Sequence, residues 1–530
     1  MISSLTWVPA GGMARKPKKY KLTAEDYALM QQMADEDEGV GERGSALRAA
    51  LKGRSLTGDE DGGISDDDSD SDAEDGLAPS ALRAMAGLVD SSNAMGPGAG
   101  PGHDGIGDDD DNSSEEDDYL LRESDAVLLA AKSMEDYSAL EVHVYNHEDG
   151  NFYVHHDVAM PTFPLCVEWL NFSTAAGVDG TTHNTPGSFA AMGTFHPGIE
   201  IYDLDVLEAL EPDVTLGGPV NGSGSGGAGS GRRPTGPLKE GSHTAAVMAL
   251  SWNRGFRNLL ASGSADGTAK LWDLATQQCR LTFEHHKDKV QSVEWNPAEQ
   301  NILATGSFDR TVAVVDARNP RHGSKFALPA DIEDLQWNPH APFQFVAGCE
   351  DGTLLSHDLR KGRDALFRIQ AHGKAVSSLS FSQYVPGLLA TASTDHAVKI
   401  WDLQSPAAAA TGNANPNLVV SKNMNVGPLF SVRFFPGQPF LLATAGEEGM
   451  VAIWESSEDN HVSRCFGTSR QLESPPVFAA KTSGGAQEAA QSDSSAAAGP
   501  GFSAGTQNLT GGGGPKPKSK KGKKGRKKKK

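Results

Sequence analysis

The chain has 530 residues, with 69 acidic side chains against 47 lysines and arginines and a formal charge of −22. That length has room for three domains. Its four cysteines, Cys166, Cys279, Cys349 and Cys465, lie far apart with no CxxC pair, which argues against a disulfide framework or a zinc site, no run is long and apolar enough to span a membrane, and Met1 to Gly12 lacks a secretory leader's apolar core; the expectation is a soluble intracellular chain without metal, cofactor or membrane contact.

The first predicted element is a strand within residues 1–10. Ser4-Leu5-Thr6-Trp7-Val8-Pro9 reads like Ser292-Val293-Glu294-Trp295-Asn296-Pro297, which opens a repeated unit farther along. Residues 11–122 then change composition. Asp35 to Asp75 and Asp104 to Asp118 are rich in acid, Gly and Ser and too poor in apolar residues to offset the entropy of ordering them, which predicts a disordered acidic insertion. Inside it Thr23-Ala24-Glu25-Asp26 has the form of a capping box opening a short helix over 23–33, preceded by the basic cluster Arg15, Lys16, Lys18, Lys19 and Lys21. Ser65, Ser69, Ser71, Ser113 and Ser114 each have an acid three residues later, a pattern similar to acidophilic kinase sites of the casein kinase 2 type. Phosphates there would strengthen attraction to basic partners.

Residues 123–160 supply the rest of the first unit. Leu140 to Tyr145 alternates as a strand should, Phe152 to Val158 is a further strand, and Ala126 to Ala131 suits strand or short helix equally. A second unit spans 161–210 around a degenerate copy, FAAMGTFHPGIEIYDL, that begins at Phe189. Residues 211–240, with the Gly/Ser/Pro-rich stretch Gly217 to Gly236, read as a loop between units.

Residues 241–466 carry the clearest repeats. Trp252, Trp295, Trp337 and Phe381 are 43, 42 and 44 residues apart, and Asp266, Asp309, Asp351 and Asp395 step by the same intervals. In LLASGSADGTAKLWDL, from Leu259, a small-residue strand enters an Asp-Gly turn and leaves as a second strand ending in Trp-Asp. The turn needs φ > 0, which Gly and Asp tolerate. This period and pattern predict an all-β WD-repeat β-propeller, and the units between Phe163 and Glu455 together with the N-terminal one make seven blades. Closure of the last blade is open between His461 to Phe466 and Met1 to Pro9.

Polar residues recur at fixed offsets within the units. His243, Ser262, Asp266 and Trp272 resemble the His-Ser/Thr-Asp-Trp network of WD repeats, and so do His372, Thr391, Asp395 and Trp401. His286, Thr305 and Asp309 repeat three of the four, with Val315 in place of Trp, and the fifth unit has Ala347 and His357 at the hydroxyl and Trp positions. A Ser-His-Asp catalytic triad is the competing reading. Recurrence in consecutive repeats, with Asp in a turn, favours a structural network in which buried polar groups satisfy one another. No Gly-rich phosphate loop follows a strand and opens a helix, so the expectation is a binding platform and not an enzyme.

Residues 467–530 lose the pattern and end in a disordered basic tail. Eleven of the last 15 residues are basic: Lys516, Lys518, Lys520, Lys521, Lys523, Lys524, Arg526, Lys527, Lys528, Lys529 and Lys530. Such a tail serves as a nuclear or nucleolar address or as a non-specific, salt-sensitive clamp on RNA phosphates, since it offers no aromatic residues for base stacking.

The opening ISSLTWVPAG, the strand LEVHVYN from Leu140, the stretch NFYVHHDVAMPTFPLCVEWL from Asn151 and the spaced tryptophans together resemble the periodic tryptophan protein 1 family. The Gly/Ser-rich loop after blade two and the long Gly-rich C-terminal region depart from that family's pattern. The resemblance implies a nucleolar, non-enzymatic factor in ribosome biogenesis, linked to ribosomal RNA transcription and large-subunit pre-ribosomal RNA processing. It also implies an acidic N-terminal region tied to histone binding, and a monomer working within larger assemblies of pre-ribosomal proteins. Two alternatives are a histone-binding chromatin propeller and a substrate receptor of a cullin-4 ubiquitin ligase. The latter rests on Arg318 and Arg360, which close Val315-Asp316-Ala317-Arg318 and His357-Asp358-Leu359-Arg360 and resemble a Trp-Asp-x-Arg box without its aromatic.

Overall fold

The computed structural model describes residues 1–19, 120–172, 187–220, 236–404, 415–467, 470–472 and 474, apart from the single residues 123, 136, 208 and 210. Strand β1 (Ile2–Val8) is followed by the two-residue β2 (Lys18–Lys19) and then by β3 (Asp125–Ser133), β4 (Ser138–Asn146) and β5 (Asn151–Ala159). The order β1-β3-β4-β5 makes blade one. Ala126 to Ala131 is strand: β3 is buried along nearly its whole length and pairs with β1 on one side and β4 on the other, so the ladders satisfy its backbone groups.

Blade two holds β6 (Pro164–Leu170), β7 (Phe189–Thr194), β8 (Ile199–Asp203) and, after the short β9 (Val206–Leu207), β10 (Val214–Leu216). Blade three runs β11 (Val247–Trp252), β12 (Leu259–Ser264), β13 (Ala269–Asp273), β14 (Gln278–Phe283). Blade four runs β15 (Val290–Trp295), β16 (Ile302–Ser307), β17 (Thr311–Asp316), β18 (Gly323–Ala327). Blade five runs β19 (Ile332–Trp337), β20 (Gln344–Cys349), β21 (Thr353–Asp358), β22 (Ala365–Gln370). Blade six runs β23 (Val376–Phe381), β24 (Leu388–Ser393), β25 (Ala397–Asp402), β26 (Asn417–Asn423). Blade seven has β27 (Leu429–Phe434), β28 (Leu441–Gly446) and β29 (Val451–Glu455), followed by helix α1 (Asn460–Phe466).

Several sequence expectations change here. β10 lies inside 211–240, the stretch read as a loop, because a strand of three residues is too short to show a period. Residues 11–19, read as the start of the disordered insertion, are seated on blade two: Lys18 and Lys19 pair in parallel with Val206 and Leu207, and Ala14 N donates to Asp205 Oδ1 at 2.6 Å. The ladder uses backbone groups, so side-chain composition carried no sign of it. His461 to Phe466 forms a helix capped by Asp459, and Met1 to Pro9 pairs with β3, so neither completes blade seven. The helix expected over 23–33, the five acidic-tract serines and the basic tail lie outside the described residues.

The blades pack face to face, which buries both sides of the middle strands and explains their small, continuous apolar runs. β12, β16, β20, β24 and β28 share the look of LLATAS because the next blade passes close by. A Cβ on Gly263 would lie 2.7 Å from Val293 Cγ2. The tight turn after each middle strand takes a left-handed residue, Gly267 at φ 80° and Gly352 at φ 81°, but Arg310 at φ 62° and His396 at φ 72° hold the same position in blades four and six. Each of those costs about 1–2 kcal/mol, which blade packing offsets.

The ring closes between blades seven and one. Ile2, Leu5 and Trp7 share a core with Phe435, Leu441 and Ala443. Trp7 Nε1 donates to Arg433 O at 2.9 Å, and Leu5 N donates to Ser431 Oγ at 3.2 Å.

Candidate functional site

On the upper rim, where each blade's incoming loop meets its Asp turn, the predicted networks come together. In blade three His243 Nδ1 lies 2.9 Å from Asp266 Oδ2 and its Nε2 2.7 Å from Ser262 Oγ, while Trp272 Nε1 donates to the same hydroxyl at 2.8 Å. Blade six repeats this: His372 lies 3.0 Å from Asp395 Oδ2 and 2.7 Å from Thr391 Oγ1, which accepts from Trp401 Nε1 at 3.0 Å. Blade four has His286 between Asp309 at 3.1 Å and Thr305 at 2.7 Å, without an indole. In blade five His357 is buried between Phe326 and Phe345 with neither ring nitrogen hydrogen-bonded.

Burial lowers the pKa of His243 and His286 and takes His372 down to about 4, so all three imidazoles are neutral at pH 7. Burial also opposes the charge on Asp266, yet hydrogen bonds from His243, Thr268 and Thr244 outweigh it and hold the carboxyl below its usual range. The resulting order is fixed. Indole N–H donates to hydroxyl, hydroxyl to Nε2, and Nδ1–H to carboxylate. A hydrolase triad has the same last two bonds, but Ser262 and Thr391 have no exposed surface and Ser262 already receives an indole. A substrate cannot approach those hydroxyls. Thiol chemistry is equally disfavoured, because burial pushes Cys349 up to about 12 and Cys465 up to about 11.

The innermost strands of all seven blades line a central cavity of about 670 Å³. These strands are sheet edges, and side chains from the preceding blade satisfy their inward N–H groups. Glu168 accepts from Trp252 N at 3.3 Å, Ser251 from Trp295 N at 3.3 Å, Glu294 from Trp337 N at 2.5 Å, Gln336 from Phe381 N at 3.1 Å and Ser380 from Phe434 N at 2.8 Å. Each acceptor stands directly before a periodic aromatic. Sequence reading followed the aromatics and missed this belt, although a polar residue precedes every one of them, from Thr6 to Arg433.

Charge in the channel is unbalanced toward acid. Burial raises Glu294 well above the ordinary carboxylate range, with Asp334 adding repulsion against the Trp337 bond, and burial likewise raises Glu168. Glu333 is pushed up to about 7 by burial and by Glu350, Asp331 and Asp334. Arg433 reaches across to Asp334 at 3.7 Å and donates to Ser378 Oγ at 2.8 Å. Among the described residues no group of three or more His, Cys, Asp or Glu side chains is placed to hold a metal ion.

On the lower rim the Asp that closes the third strand of blades three to six carries an arginine each time: Arg280 on Asp273, Arg318 on Asp316 at 2.7 Å, Arg360 on Asp358 at 2.8 Å and Arg470 on Asp402 at 2.9 Å. Arg318 and Arg360 are 69% and 59% exposed, so the structure presents both guanidinium groups outward while tying each to its own blade.

Sheets in a ring around a channel, with a repeated His-Ser/Thr-Asp relay, define a seven-bladed WD-repeat β-propeller. The family described as WD domain, G-beta repeat matches residues 236–273, 277–316 and 364–402. The chain is 40% identical over 345 residues to an uncharacterised WD repeat-containing protein of Schizosaccharomyces pombe, a match covering 65% of this chain and 63% of that relative. It is 28% identical to the periodic tryptophan protein 1 homolog of Drosophila melanogaster, over 88% of this chain and 96% of the relative, and 28% identical to periodic tryptophan protein 1 of Saccharomyces cerevisiae, over 88% and 90%. The chain belongs to the periodic tryptophan protein 1 family.

Proposed function

We propose that this protein is a non-enzymatic nucleolar scaffold in ribosome biogenesis, acting in ribosomal RNA transcription and large-subunit pre-ribosomal RNA processing. The observation that carries the reading is family membership over most of the chain, joined to a ring whose Ser, His and Asp side chains are consumed by internal hydrogen bonds. Such a ring offers broad faces and loops to partners and no exposed nucleophile from its repeat networks. The acidic tract, with Ser65, Ser69, Ser71, Ser113 and Ser114 as phosphate acceptors, adds attraction to basic pre-ribosomal proteins and histones. The basic tail adds non-specific RNA contact that weakens with salt.

Depleting the protein and probing pre-ribosomal RNA by blot should reveal accumulated large-subunit precursors. Normal precursors together with normal ribosomal RNA synthesis would sink the reading.

A second reading, a substrate receptor for a cullin-4 ligase, draws on the outward guanidinium groups of Arg318 and Arg360. Affinity purification of the intact chain separates the two. Pre-ribosomal proteins as the main co-purifying set support the scaffold, and a ligase adaptor lost on Arg360→Ala supports the receptor.

A further inference from the structure

Blade seven is short of one strand among the described residues. Blades one to six each have four, and blade seven has β27, β28 and β29. The shortage shows in burial. Val451 of β29 stands where Ala269, Val312, Leu354 and Val398 stand in blades three to six, and those four are at most 1% exposed, whereas Val451 is only partly buried. Ile453 is likewise partly buried, against Leu271, Val314, Ser356 and Ile400, which are all buried. In blades three, four and five an outer-strand Phe covers this face: Phe283, Phe326 and Phe367 are each buried.

The chain's path narrows what could fill the gap. After β29 it crosses the lower rim as helix α1, with Val462 and Phe466 packed in the core shared by Tyr384 and Trp454. Arg470 then grips Asp402 and stacks on Phe466 at 4.9 Å, and Leu472 N donates to Tyr384 O at 2.8 Å. The third strand of each blade ends at the lower rim, so a chain leaving Leu472 upward beside β29 runs antiparallel to it, as every other fourth strand does beside its third strand. Five residues reach up to roughly 17 Å, enough to pass from Tyr384 to an edge that shares its core. After Leu472, Val477-Phe478 is the one place where two large apolar residues are adjacent.

We propose that residues 475–480, Pro475-Pro476-Val477-Phe478-Ala479-Ala480, form the fourth strand of blade seven, with Phe478 on the face shared by Val451 and Ile453. The prolines stand at the strand's start, where a missing N–H costs least. The ladder would satisfy the outward backbone groups of β29, and Phe478 would complete the row of outer-strand phenylalanines. Blade seven is then finished by the chain's own C-terminal region and is closed to strand addition by another protein.

Hydrogen exchange on the full-length chain tests this. Amides of 451–455 should exchange as slowly as those of 397–402, and Phe478→Glu or truncation after Ser474 should speed them about tenfold or more, with blades two to five and a Leu509→Glu control unchanged. Fast exchange at 451–455 in the intact chain overturns the proposal and leaves the edge for a partner's strand. Protection that survives both changes overturns it as well. Should truncation prevent folding, Ile453→Cys paired with Phe478→Cys decides: a disulfide between those two positions under mild oxidation supports the strand, and its absence counts against it.

Discussion

Arg470 meets Asp402 with both guanidinium nitrogens, each 2.9 Å from a carboxylate oxygen and 68 residues away along the chain. Asp402 closes the third strand of blade six with its carboxylate almost wholly buried, so this contact ties the segment after α1 to the lower rim. Arg470→Ala removes the main countercharge, although Gln404 N still donates to Asp402 Oδ1 at 2.9 Å. The expected loss is about 1–3 kcal/mol, read as a lower urea midpoint, with faster amide exchange across α1.

Ser262→Ala strips two groups at once, leaving His243 Nε2 and Trp272 Nε1 unpaired in a buried site. A loss of about 2–4 kcal/mol is expected. Thr305→Ala in blade four orphans only His286 Nε2, because Val315 stands where the indole would be, and should cost about half as much. Equal losses in chemical denaturation would contradict the relay.

His372 is held down to about 4 by burial, whereas an imidazole in the unfolded chain titrates near 6.5. Between those values the unfolded chain takes the proton and the native chain refuses it. This share of stability is therefore complete above about pH 6.5 and falls away as pH drops toward 4, by on the order of 3 kcal/mol. Urea midpoints measured from pH 7 to pH 4 should decline, and His372→Gln should make the decline shallower.

Glu294 works in the opposite sense. Its raised pKa means the native state holds the proton more tightly than the unfolded state, so the side chain destabilises the fold increasingly as pH climbs above the unfolded value, near 4.3. Glu294→Gln keeps a carbonyl oxygen for Trp337 N and removes the buried charge. The variant should match the parent near pH 4 and exceed it by about 1 kcal/mol or more at pH 8, while Glu294→Leu, which has no acceptor, should lose about 1–3 kcal/mol.

Much of the site was legible because a propeller repeats its chemistry. His243, Ser262, Asp266 and Trp272 recur at the offsets of His372, Thr391, Asp395 and Trp401, and the gaps at Val315 and Ala347 could be read off the same grid. The channel belt was less visible. Glu168, Ser251, Glu294, Gln336 and Ser380 differ in type and share only a position before an aromatic, since any acceptor can receive a backbone N–H. The arginines were half visible: Arg318 and Arg360 sit two residues after their aspartates, but the pairing of Arg470 with Asp402 spans two blades and has no local spacing.

The sequence alone settled that sheets repeat, how many there are and which polar residues each would bury, because each blade's hairpins are local and a repeat copies its local chemistry. Tertiary structure decided where the repeats meet. β1 went to blade one and left blade seven a strand short among the described residues, Lys18 and Lys19 found Val206 and Leu207, and α1 folded beneath blades six and seven. Those outcomes depend on backbone edges and on surfaces distant in the chain, and an edge carries no residue code: its N–H and C=O groups are the same whatever side chains flank them.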